Sequence, residues 1–222
     1  MKRRTLLVLI ATALLGLGGN LAARSSDDGD VDKVNGSIHI PDGTTAGKLS
    51  TVNGSVHVGS NAHARSAETV NGGVEIGDGA QLDSIETVNG GVSVGEKATV
   101  ARTVETVNGS ITLEKGVDVG GKVSNVNGGI RLDAAHVGGG IDTVSGDISV
   151  GANSRVEGGI TVQEDHSWLR VGTHKPRIVI GPHAVVQGKL QFKREVELYV
   201  SDSATVGPIE GATATKFSGD KP

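Results

Sequence analysis

Cysteine is absent from this 222-residue chain, and Phe, Trp and Tyr together supply 2% of it. The first absence excludes a disulfide framework, a thiolate metal site, a cysteine nucleophile and a lipid-modified cysteine. The second excludes an ordinary globular core, which relies on aromatic bulk. The interior has to be built from Val, Ile, Leu and Ala in many thin layers. The chain also lacks a Gly-Lys-Ser phosphate loop, a Ser nucleophile elbow and a basic patch. No cofactor is expected. Glycine, by contrast, is abundant at 35 residues.

No apolar run reaches the roughly 20 residues of a membrane-spanning helix. The longest, Leu6 to Leu17, follows the basic residues Lys2, Arg3 and Arg4 and precedes the small residues of GGNLAA. That order predicts a secretory signal peptide over residues 1–23. An uncleaved anchor is the other reading, and Leu21 is a poor match for the position three before a cut at Ala23. Cleavage leaves 18 Lys and Arg against 25 Asp and Glu, a net charge of −7. Such a surface disfavours nucleic acid and anionic membrane as partners.

A repeat dominates the chain. Residues 70–94 read VNGGVEIGDGAQLDSIETVNGGVSV. The Asn positions are Asn35, Asn53, Asn71, Asn89, Asn108 and Asn127, with Ser145 in the seventh place, at steps of 18 or 19. A short fixed step marks a solenoid whose turns touch only their neighbours. Each step holds three apolar pairs. One turn has Val74 with Ile76, Ala80 with Leu82, and Ile85 with Val88. The next has Val92 with Val94, Ala98 with Val100, and Val104 with Val107. Pairs two apart place both side chains on one strand face. The third pair, three apart, predicts a bend. Three short strands per turn make a parallel β-helix of triangular section, its turns stacked about 4.8 Å apart.

Val-Asn-Gly reads as a corner. Glycine is expected to supply a positive φ there, and Asn tolerates the same region. In-register stacking predicts a ladder of Asn side chains, each bonded to the next.

The pattern V-N-G-[SG]-[VI]-x-[VIL] at an 18-residue step resembles the bacterial adhesin-type β-strand-repeat families, over about residues 34–150. The stretches VGANSRVEGGITV and IGPHAVVQGKLQF resemble bactofilins, whose right-handed β-helices polymerise end to end. That likeness implies a right-handed coil. IGDGAQ, VGEKAT and IGPHAV also fit the loose hexapeptide motif of left-handed acyltransferases. None of these resemblances supplies a catalytic residue.

Beyond residue 150 the rhythm fades. The expected layout is a flexible linker over 24–33, a solenoid over 34–207 and a disordered tail over 208–222. Within the solenoid, regular turns run over 34–150, and irregular turns and a cap over 151–207. Trp168, Phe192 and Tyr199 are expected to cover the last apolar layer.

Few groups suggest chemistry. Glu68, Glu86 and Glu105 recur at equivalent places in successive turns. Glycoside hydrolysis needs two carboxyls about 5–9.5 Å apart in different environments, and an exposed column of equivalent acids offers similar ones. A bridging hard cation is the other option, against a plain solvated stripe beside Thr51, Thr69, Thr87 and Thr106. His39 and His57 stack with Glu75, a set that could take zinc but lies on a flat outward face. His136 or His183 could serve as the base of an acyltransferase, although export separates it from cytoplasmic acyl donors. The expected protein is therefore not an enzyme. It is an exported, monomeric scaffold of the periplasm or cell exterior that contacts an envelope protein or polysaccharide. A polysaccharide-active β-helix enzyme and a bactofilin-like polymer remain as alternatives.

Overall fold

A computed structural model describes residues 24–25, 29–164 and 175–222. The expected signal peptide and Trp168 lie outside the described residues. Every regular element among the described residues is a β-strand. The strands stack as a β-solenoid of about ten turns.

One face of the coil is a ten-stranded parallel sheet. Its inner column runs Ile38, Val56, Val74, Val92, Ile111, Ile130, Ile148, Ile178 and Leu198, paired turn to turn. None of these residues is more than 2% exposed. The other two faces belong to one larger sheet, because His63–Asn71 and Gln81–Asn89 pass from one face to the next without a break. Each small side chain buries only a few methyl groups, worth about 1.5–3 kcal/mol when fully enclosed. Ten repeated layers replace the bulk that aromatics provide elsewhere.

The third apolar pair differs from expectation. Ile85 is buried together with Thr87, while Val88 is only half-buried. The phase change occurs earlier, at the adjacent buried residues Ser84 and Ile85. The Thr column is therefore interior rather than surface. Thr51, Thr69, Thr87 and Thr106 are all at most 1% exposed. Each Oγ1 donates to a glycine carbonyl of the preceding turn, namely Gly36, Gly54, Gly72 and Gly90, at 2.8–3.1 Å. A buried hydroxyl needs such a partner. Where the corner motif ends, Val162 and Phe192 occupy the equivalent place and the column turns apolar.

The positive φ expected at the Asn–Gly corner is present at two of its six glycines, Gly36 with φ 101° and Gly128 with φ 118°, and absent at the other four, Gly54, Gly72, Gly90 and Gly109. They are glycine because turns pack too closely for a side chain: a Cβ on Gly90 would lie 2.0 Å from the Gly72 carbonyl oxygen. A regular row of left-handed residues follows the first face, at Gly43, Asn61, Gly79, Lys97, Gly116, Ala134, Asn153 and His183, with φ of 44–74°.

Three boundaries also change. The expected linker contains paired strand: Arg24–Ser25 runs antiparallel to Val31–Asn35 and covers the first edge of that sheet. Unpaired edge backbone supplies the reason. The expected tail carries Ile209–Glu210 and Ala214–Phe217, each continuing the parallel stack. Its polar look hid an alternation, and Ala212 and Ala214 pack against the core. The described residues of the expected cap, 151–164 and 175–207, form further turns. Ile148 pairs with Ile178 and Ile178 with Leu198, and Phe192 is a buried core residue. Tyr199 points outward, with the Arg177 guanidinium 4.9 Å from its ring centre.

Candidate functional site

The longest continuous polar feature is the Asn ladder. Asn53, Asn71, Asn89, Asn108 and Asn127 each donate Nδ2 to Oδ1 of the Asn one turn before, beginning with Asn35, at 2.9–3.0 Å. Each amide inside the ladder donates once and accepts once. The ladder thus uses half of each amide's hydrogen-bonding capacity, and its part is to fix the register of the corner. Ser145, in the seventh place, instead accepts from Arg194 Nη1 at 3.2 Å.

The acidic residues do stack: Glu68 pairs with Glu86, and Glu86 with Glu105. They are half-buried rather than exposed. Burial pushes the Glu86 carboxyl above the ordinary glutamate range, and the negative charge of Glu68 adds to this. Burial and then Glu86 do the same to Glu105. The environments along the column therefore differ. Lys48 holds Glu68 at 2.9 Å, and Ser66 Oγ donates to it at 3.3 Å. Near the other end, Lys122 pairs with Asp142 at 3.0 Å. A shallow groove runs past Arg65, Ser84, Glu86 and Arg102.

The histidines fall where the register puts them. The His39 and His57 rings are 6.5 Å apart, and His57 Nδ1 lies 2.9 Å from Glu75 Oε2. Glu75 is 70% exposed, and no second layer of ligands supports the set. His183 sits on a left-handed corner with its side chain exposed. His136 has partners that the sequence pattern did not reveal. Its Nδ1 is 2.6 Å from Asp118 Oδ1, one turn before, and its Nε2 is 3.5 Å from Glu157 Oε1 without hydrogen-bond geometry. Asp118, 18 positions before His136, could have been paired from the step alone, whereas Glu157, 21 positions after, could not. Among the described residues, no three His, Asp or Glu side chains converge to hold a metal ion. Among the same residues, no helix is long and apolar enough to cross a membrane.

No protein-family model, curated protein or solved structure matches the chain.

Proposed function

We propose that the protein is an exported, non-catalytic scaffold of the cell envelope, with adhesin-like contacts made by its long flat faces. One observation supports this most: among the described residues the turns of the coil are joined by short corners, so the grooves on their outer surface have no walls. A substrate held there would stay in contact with water, whereas acid–base catalysis depends on enclosed groups of matched pKa. A rod that buries its apolar columns and bonds its corners from turn to turn is built for stiffness. The basic and apolar N-terminal sequence supports export, and the negative charge of the mature chain supports a partner other than nucleic acid.

Fractionation tests the proposal. A C-terminally tagged full chain, made in its own host, should be recovered outside the cytoplasm and shortened at its N-terminus. Full-length recovery in the cytoplasm would overturn the export reading. Release of reducing ends from a panel of envelope polysaccharides would overturn the non-catalytic one.

A further inference from the structure

Six Asn–Gly bonds line the ladder corner. Asn–Gly is the dipeptide most open to loss of its side-chain amide, because a residue without Cβ lets its nitrogen approach the preceding Cγ. In that reaction the glycine nitrogen attacks Cγ of Asn. An N–Cγ bond forms, the Cγ–Nδ2 bond breaks, and the side-chain nitrogen leaves as ammonia with the proton of the glycine N–H. Water then opens the five-membered imide at either carbonyl, leaving aspartate or isoaspartate. The step requires a glycine N–H able to give up its proton and an amide able to turn above it.

Five of the six glycines lack the first freedom. The N–H groups of Gly36, Gly54, Gly72, Gly90 and Gly109 donate to the Asn carbonyl of the next turn at 2.8–3.1 Å. Gly128 is different. The residue above its corner is Ser145, where the motif stops, and Gly128 N–H has no hydrogen-bond partner among the described residues. The Ser145 corner is wired in another way. Thr143 Oγ1 donates to Asn125 Oδ1 at 2.6 Å and accepts from Gly146 N–H at 3.0 Å. Arg194 Nη1 donates to the Val144 carbonyl at 3.1 Å. Gly128 is exposed, whereas Gly54, Gly72, Gly90 and Gly109 are half-covered. Asn127 is held from one side only, through the bond from its Nδ2 to Asn108.

We propose that Asn127 is the deamidation site of the folded protein, and that the inter-turn bonds protect the other five Asn–Gly pairs. Asn35 is a built-in control. Its amide has no preceding rung to bond, yet Gly36 N–H is engaged at 2.8 Å. If the glycine nitrogen decides, Asn35 stays intact. Conversion of Asn127 places a carboxylate oxygen where an amide donor faced Asn108, so each event removes the last bond of the ladder and adds a negative charge.

The test incubates the folded mature chain at mildly alkaline pH and follows it by proteolysis and tandem mass spectrometry. Deamidation raises the mass of a peptide by about 1 Da. Asn127 should convert at least about fivefold faster than each of the other five, the factor set by breaking one hydrogen bond before reaction. In denaturant the six rates should converge, and Asn127→Gln should remove the early mass gain. Equal rates in the folded state would overturn the proposal, as would a preference for Asn127 that persists in denaturant.

Discussion

Asn71 donates Nδ2 to Asn53 Oδ1 and accepts from Asn89 Nδ2, both at 3.0 Å. Exchange of an interior member therefore breaks two bonds, and exchange of Asn35 breaks one. Asn71→Ala should cost about 1–2 kcal/mol in urea unfolding and Asn35→Ala about half as much. Equal costs would mean that the ladder bonds are too solvated to contribute.

The inner column supplies the largest expected effect. Val92 lies between Val74 and Ile111 at 2% exposure. Val92→Asp should cost several kcal/mol, because an unpaired carboxylate would be taken out of water. A variant that melts within a few degrees of the wild type would contradict this register.

That register was legible in the sequence. The column through Val56, Val74, Val92, Ile111 and Ile130 follows from the step and a period of two, and the Asn ladder follows from the same step. The sequence was misleading where two physical causes favour the same residue. A glycine at position 90 would suit either a positive φ or a close approach, and the stacked backbone shows that the close approach is the cause. Thr87 and Val88 are adjacent β-branched residues, and hydropathy alone favours Val88 for the interior. The corner reverses the choice because the Gly72 carbonyl needs a donor. Past residue 150 the coil continues, but the step lengthens to thirty residues between the paired Ile148 and Ile178. No fixed-period reading survives that.

Stacked turns make Gly90→Ala and Lys97→Gly opposite experiments. A Cβ at Gly90 would meet backbone, which cannot move aside without opening the corner. Gly90→Ala should therefore cost more than 1–3 kcal/mol, a typical range for overpacking. Lys97 holds a φ of 58° that glycine adopts without penalty. Lys97→Gly should be neutral or stabilise by up to about 1 kcal/mol, since greater freedom of the unfolded chain offsets part of the gain. Thermal melts should therefore show a clear fall for Gly90→Ala and none for Lys97→Gly.

Glu86 gives a pH dependence with a defined sign. Its folded carboxyl binds a proton more readily than the unfolded one. The folded state therefore holds the extra proton just above the ordinary glutamate range, and this contribution to stability is lost as pH rises through that window. Glu86→Gln should raise the melting temperature at pH 7 and narrow the difference between pH 5 and pH 7. The exchange also relieves Glu105, which feels the charge of Glu86. Millimolar calcium is expected to leave the wild-type melt unchanged. A rise that Glu86→Gln abolishes would instead show a cation bound along the column.

The turns beyond residue 150 give the last prediction. Ile148 and Val150 are 1% and 0% exposed because Ile178 and Ile180 pair above them. Truncation after Val150 removes that turn and leaves an apolar layer with a row of unpaired backbone groups, a template for pairing between molecules. The last described turns end on half-covered apolar side chains, Val206, Ile209 and Ala214, packed against the core. The antiparallel Arg24–Ser25 strand covers one edge at the other end. The truncated chain should aggregate and bind an amyloid-type dye, while the chain from residue 24 onward runs as a monomer in size-exclusion with light scattering. Filaments of that longer chain would show that these end layers associate, and the polymer-forming alternative would then replace the proposed monomeric scaffold.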